Sequence, residues 1–372
     1  MGLRPVPIPL DEYPVHQTPL PMDRVAASDR NFYDRCYFNA HGRTGEVFLV
    51  TGLGVYPNLG VIDAYAAARC GDRQWAVRFS DALGDRSLEQ QVGGYRIEVV
   101  EPLQRLHLTC AAPDGAVGFD LHWTAAFPAL QEEPHVLLAG RRPVLDASRF
   151  SQLGSWSGRL QVGDTEFAVT PDRWAGARDR SWGIRPVGEP EPPGRAAAEP
   201  LAGFWWLYAP LQFESCALTV ILQENPDGYR TVNDAKRVWK DGGVEQLGWP
   251  RVDISYLPGT RHPESARLVL SDPAGSPLTL EVETVASVPL HVGAGYSGDP
   301  DWSHGRWMGR DWTSSSVYDL TDPVVAGRIP FGVTDHLARA WLDGEQGWGL
   351  FEHASMGRHD PTGFADWSAV AS

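Results

Sequence analysis

The stretch "RLHLTCAAPDGAVGFDLHWTAAFPAL", residues 105–130, decides the fold class. Apolar and polar residues alternate on both sides of Pro113-Asp114-Gly115, the pattern of two half-buried strands joined by a hairpin. The same order returns at residues 267–290, "RLVLSDPAGSPLTLEVETVASVPL": strand, Pro/Gly turn, strand, then small residues and a proline. A repeat so far along the chain predicts two similar β-domains in tandem. A fainter echo agrees, since "SWG" at 181–183 has a counterpart in "GWG" at 347–349.

Further hairpin turns are predicted at Gly71-Asp72, at Gly163-Asp164, in "NPDG" at 225–228 and in "KDGG" at 240–243. No segment sustains a 3.6-residue apolar period, so the chain reads as mainly β without long amphipathic helices. Between the repeats, "PVGEPEPPGRAAAEPLAG" at 186–203 has the Pro, Gly, Ala and Glu content of a linker. It sets a boundary near residue 195 and domains at 1–195 and 196–372. A β-domain of this size either closes into a barrel, which removes its edges and leaves room for one apolar ligand, or packs as a sandwich. The pattern alone fits both.

The 372 residues are 42% hydrophobic and 21% charged, as in an ordinary globular protein. Lys and Arg number 32 against 47 Asp and Glu, and the net charge of -15 argues against nucleic acid and anionic lipid as partners. Cys36, Cys70, Cys110 and Cys216 follow no metal-ligand or redox spacing and read as reduced core residues. No apolar run has the length of a signal peptide or a membrane span, and a cytoplasmic location is the expectation. Fifteen tryptophans either fill cores or line an apolar pocket. No cofactor or metal is predicted. "GLGVYPNLG" at 52–60 has Pro57 where a dinucleotide loop needs its third glycine, and "GSWSG" at 154–158 has Trp156 where a nucleophile elbow needs serine. The oligomeric state has no signal in the sequence.

Five stretches together resemble one family: "YFNAHG" (37–42), "GLGVYPNLG" (52–60), "RDRSWGIRP" (178–186), "FWWLYAPLQF" (204–213) and "GWGLFEHASMGRH" (347–359). They are similar to the carotenoid 1,2-hydratase (hydroxyneurosporene synthase) and AttH-like double-lipocalin proteins. The resemblance implies an all-β fold of two tandem lipocalin-like barrels around a hydrophobic ligand site. It also implies either addition of water to isoprenoid double bonds or, as in similar fungal proteins, pericyclic ring closure on polyketides. The fold does not choose between them. The hydratases of this group carry an aspartate flanked by histidine near residue 179, whereas here Arg178 and Arg180 flank Asp179.

Alkene hydration needs an acid that keeps its proton until it meets carbon. Apolar burial raises a carboxyl pKa and a nearby cation lowers it. In a strand, Arg178 and Arg180 share one face and Asp179 takes the other. Asp179 is therefore either a reactive group in the cavity or half of a buried ion pair, with Trp182 plugging a barrel end. Asp179, Arg180 and His353 form the candidate catalytic set. Candidate substrate contacts are Tyr37, Asn39 and His41, Tyr56 and Asn58, Trp182, Trp206 and Tyr208, and His304 in a loop that either covers the site or lies on the surface. Glu352 beside His353 and Asp335 beside His336 are carboxylate–imidazole neighbours, but adjacent strand residues diverge. Three functions follow: a cofactor-independent hydratase, dehydratase or isomerase acting on a bulky apolar molecule such as an isoprenoid, steroid or polyketide; a carrier of such a ligand; or a pericyclase.

Overall fold

The computed structural model describes residues 18–85, 88–139, 141–188, 202–296 and 299–372. Two antiparallel sheets carry nearly all the regular structure. The first contains β1 (Phe32–His41), β2 (Val47–Tyr56), β3 (Val61–Cys70), β4 (Arg73–Ala82), β5 (Tyr95–Glu101), β6 (Arg105–Ala111), β7 (Val117–Ala125), β8 (Arg142–Val162) and β9 (Ala175–Ile184). The second contains β10 (Gly203–Gln212), β11 (Cys216–Glu224), β12 (Arg230–Trp239), β13 (Gly248–Tyr256), β14 (Pro263–Ser271) and β15 (Pro277–Pro289). It is completed by β17 (Thr334–Leu342) and β18 (Glu345–Gly357), while the intervening β16 (Trp312–Asp319) leaves it and joins β4 at the edge of the first sheet. Helical pieces among the described residues are short, at Pro323–Ala326, Ile329–Phe331 and Asp360–Thr362. No helix there is long and apolar enough to cross a membrane.

The sequence repeat is a repeat of topology. The orders β3-β2-β1-β9-β8-β7-β6-β5 and β12-β11-β10-β18-β17-β15-β14-β13 match strand for strand. Residues 105–130 supply β6 and β7, and residues 267–290 supply β14 and β15, at equivalent places in their sheets. "SWG" and "GWG" lie on β9 and β18, the strands that return beside the first strand of each half. The predicted hairpin turns form; Gly71, at φ 59°, and Gly163, at φ 56°, take the left-handed conformation that tight turns between strands require. The boundary expected near residue 195 falls outside the described residues.

Strands where the two sheets meet, such as β1–β3, β10 and β11, are buried on both faces, while β5–β7, β13 and β14 leave one face to solvent. On β1, Cys36, Phe38 and Ala40 enter the first core with Trp123 and Trp156. On β10 and β18, Trp205, Leu207 and Phe351 enter the second. The opposite faces meet in a third apolar layer that includes Tyr37, Phe48, Trp206, Tyr208, Leu350 and Ala354. Each core is lined by its own side chains, and the cavity described below lies in the layer between the two sheets. All four cysteines are free, and Cys36, Cys110 and Cys216 are buried.

Candidate active site

A cavity of about 180 Å³ opens in the layer between the sheets, at β1, β8 and β9 on one side and β10 and β18 on the other. Its apolar wall includes Tyr33, Leu137, Leu145, Phe204, Trp206 and Val333, and its polar wall includes Arg35, Tyr37, Glu132, Arg149, Asp179 and Glu352.

The register explains why the carboxyl groups converge. On the first sheet Asp179 lies between Tyr37 of β1 and Ser151 of β8. On the second, Glu352 lies between Tyr208 of β10 and Asp335 of β17. Each half thus presents a tyrosine, a carboxyl group and a third polar residue in one row. The rows are joined across the layer by Tyr37, whose hydroxyl donates to Asp335 Oδ2. Asn39 sets that direction: its Nδ2 donates to the Tyr37 oxygen at 3.2 Å, and its Oδ1 accepts the Ala177 N–H at 2.9 Å. Trp206 Nε1 donates to Glu352 Oε1 at 2.5 Å, and its ring stacks on His135, with centroids 5.7 Å apart and planes at 7°.

Burial pushes the Asp179 carboxyl up to about 7, against the opposing pull of Arg149. Glu132 and Glu352 push the same way as burial, and Arg35 opposes them. Burial and the nearby Glu352 charge raise Asp335 well above the carboxylate range. Burial and the Asp335 charge likewise raise the Tyr37 phenol, which stays protonated as the donor. Arg149 is bound to buried Glu132 through Nε and lies 4.6 Å over the Tyr208 ring. His135 is held down to about 4, by burial first and Arg149 second, so its imidazole is neutral at pH 7.

Asp179, Tyr37 and Trp206 line the cavity, and Tyr208 packs in the same layer. Arg178 and Arg180 take the other face of β9. Arg178 Nε donates to Gln152 at 2.8 Å, and Arg180 pairs with Asp34 at 2.9 Å and reaches Gln90 at 3.1 Å. Trp182 shares that face and packs against Phe150. Arg180 and Trp182 therefore do not line the cavity. His353 also points away: Nδ1–H donates to the Trp206 carbonyl at 2.7 Å, and Nε2 accepts from Tyr256 at 3.1 Å. His41 is fully buried beside Phe48, and burial holds it down to about 3. Tyr56 donates to Asp63 at 3.3 Å, and Asn58 ties down the backbone carbonyls of Ala27 and Asp29. His304 is buried among Tyr65, Tyr296 and Trp302 with its Nδ1 3.8 Å from Asp63; it is its loop neighbour Tyr296 that reaches the cavity.

The carboxylate–imidazole neighbours divide at the strand: Asp335 and Glu352 face each other, and His336 and His353 turn to the other face, His336 bonding the Phe351 carbonyl. Sequence reasoning missed Arg35, Glu132, His135, Arg149 and Tyr296. Away from the cavity, His107, Asp120 and His122 on the outer face of β6 and β7 bring three donor atoms within 4.8 Å of one another, close enough to hold a divalent ion.

Three solved structures resemble this chain. A protein assigned as AttH from Nitrosomonas europaea aligns with TM-score 0.54 and 13% identity over 92% of this chain and 98% of its own. Kievitone hydratase from Nectria haematococca aligns with TM-score 0.53 and 13% identity over 87% of this chain and 89% of its own. CghA with Sch210972 aligns with TM-score 0.50 and 13% identity over 88% of this chain and 89% of its own. At this identity the likeness is one of fold alone, two lipocalin-like β-domains in tandem. No curated protein matches it in sequence. A family model described as a family of unknown function (DUF8625) matches residues 8–365.

Proposed function

The chain belongs to DUF8625, a family of unknown function, and from the chemistry of its own cavity we propose that it is an enzyme that adds or removes water by acid–base catalysis on a hydrophobic small molecule. The observation that carries this reading is the meeting of Asp179, held near pKa 7, with the Asp335–Glu352 carboxyl pair across one aromatic-walled cavity. A carboxyl group titrating near neutrality exchanges its proton readily in either direction at pH 7.

In the dehydration direction, Asp179 gives its proton to the leaving hydroxyl, which departs as water. Glu352 on the opposite wall takes a proton from the neighbouring carbon, whose C–H electron pair becomes the new double bond. Hydration runs the same steps backwards. Tyr37 and Trp206 hold the Asp335–Glu352 pair through their hydrogen bonds to Asp335 and Glu352. The volume is near that of a dry engineered cavity of about 150 Å³ that admits benzene. A ring or an isoprene-sized segment therefore fits at about 180 Å³, and the rest of a larger isoprenoid, steroid or polyketide extends through the mouth. Kievitone hydratase, which shares the fold, is by its name a hydratase.

The test is incubation of the purified protein with a lipid extract of its own organism, followed by mass spectrometry for a gain or loss of one water. Wild-type protein is expected to produce such a change and Asp179→Asn to abolish it. Ligand recovered bound but chemically intact would make the protein a carrier. Turnover with no titrating limb near pH 7 would favour a pericyclase.

A further inference from the structure

Arg35 is a buried charge in this site that the described residues leave without an ion pair. Its side chain lines the cavity while the residue is only 6% exposed. Its guanidinium carbon lies 4.8 Å over the Tyr296 ring. Among the described residues it has no ion pair and no side-chain hydrogen bond, although Asp63 and Asp179 lie close enough to feel its charge. The contrast is Arg149, a half-buried cation of the same wall, which is bound to Glu132. Removing a guanidinium from water without a partner is costly. A ring face returns only part of that cost. The charge is therefore poised for something that enters the cavity.

We propose that Arg35 is the anchor for a carboxylate, and that the protein's ligand is an apolar monocarboxylic acid. The proposal rests on the reading of the cavity as a substrate site and adds the class of substrate. A guanidinium offers parallel N–H donors that match the two oxygens of a carboxylate. Charge fixes the valence. Arg185, 5.6 Å over the Tyr33 ring at the same wall, adds a second positive group, but Glu133, Asp179 and Glu352 also face the space. They oppose a phosphate dianion more strongly than a monoanion. Position fixes how the ligand lies. Arg35 stands opposite Ser181 and Tyr37 opposite Asp179, so Arg35 and Asp179 are diagonal neighbours on paired strands. Such positions are about 7–8 Å apart. A carboxylate held at Arg35 thus presents a carbon a few bonds away to Asp179.

The experiment measures binding and needs no turnover. Quenching of tryptophan fluorescence is titrated at pH 7.5 with 4-phenylbutanoate and with its uncharged amide, using wild type, Arg35→Gln and Asp179→Asn. The wild type is expected to bind the acid at least tenfold more tightly than the amide, and Arg35→Gln to bind the two alike. Asp179→Asn is expected to keep the preference for the acid while losing the one-water reaction. Equal binding of acid and amide by the wild type overturns the proposal, and so does a preference that survives in Arg35→Gln. Inorganic phosphate displacing the acid with comparable affinity overturns the carboxylate assignment. Equal binding of acid and amide by the wild type overturns the proposal even where Arg35→Gln fails to fold. Failure here, with the one-water change still abolished in Asp179→Asn, removes the carboxylic acid and leaves the acid–base enzyme standing.

Discussion

Asp179 sits between two arginines in sequence and is separated from both by the plane of its sheet. Period-two geometry makes that separation legible in "ARDRSW", but the groups that set its proton affinity are not. Arg149, Glu132, Arg35 and Glu352 arrive from three other strands and a connecting segment. Arg35 was within reach, because it shares a face with Tyr37 and Asn39 in "FYDRCYFNAH" and alternation needed only one more step back. Glu132 and Arg149 carry no motif, and only folding brings them together. Burial lifts Asp179 from an ordinary 3.8 to about 7, so the folded chain keeps a proton that the unfolded chain releases. Its contribution to stability is therefore present below about pH 4 and lost as pH rises through about 7. Asp179→Asn should lower kcat by about 10²–10⁴. It should also raise Tm at pH 8, by roughly 1–2 °C per kcal/mol relieved, and leave Tm at pH 4 nearly unchanged. Thermal melts at both pH values check the sign, and a Tm that falls at pH 8 would make Asp179 a stabilising ion pair. Anion binding at Arg35 should add to the same shift: neutralising that cation removes one of the influences holding Asp179 down. Calorimetry of 4-phenylbutanoate binding at pH 7.5, in buffers of different ionisation enthalpy, should then show proton uptake of up to about one.

The element that best separates chemistry from packing is β18, where Glu352 and His353 are neighbours in sequence and opposites in space. Glu352 takes the Trp206 N–H at the cavity, whereas His353 is 2% exposed in the second core and spends both ring nitrogens on Trp206 and Tyr256. "GWGLFEHASMGRH" draws attention to the histidine, yet the inward and outward faces of a strand buried on both sides cannot be told from its residue types. That ambiguity is why a dyad along the chain was weighed and the cross-strand pair of Asp335 and Glu352 was not. His353→Ala should lower Tm, at about 1–3 kcal/mol for the bonds lost to the Tyr256 hydroxyl and the Trp206 carbonyl, and change kcat by less than about twofold. Glu352→Gln should do the reverse, with kcat falling by about tenfold or more and Tm holding or rising. The two variants measured side by side assign the faces. On β1, Tyr37→Phe removes the bond to Asp335 that links the two rows, and both stability and kcat should fall.

At the scale of the whole molecule, the tandem repeat explains why the site exists only once. Each half supplies one row, Tyr37-Asp179-Ser151 or Tyr208-Glu352-Asp335, and a cavity walled by both forms where the rows meet. The repeated hairpins made two halves readable in the sequence. Nothing in a repeat announces that β16, from beyond the second half's first six strands, crosses back to the first sheet. There Trp312 pairs opposite Ser80 and Asp319 opposite Arg73, and the strand covers the edge that β4 would otherwise present. Side chains of the first half also hold the second: Gln74 Nε2 donates to the Val292 carbonyl at 2.5 Å, and Arg69 Nη1 to Ser287 Oγ at 2.6 Å. A protease site built into residues 189–201 turns this into a measurement. After cleavage, the two fragments should elute as one species at the mass of the intact chain, with the acid-over-amide preference unchanged, and should separate only in denaturant. A fragment ending at residue 195 and expressed alone has a bare β4 edge and should aggregate. Cleaved pieces that part in native buffer would show that the crossing strand and the shared cavity wall do not hold the halves together, and the site would then have to form within one of them.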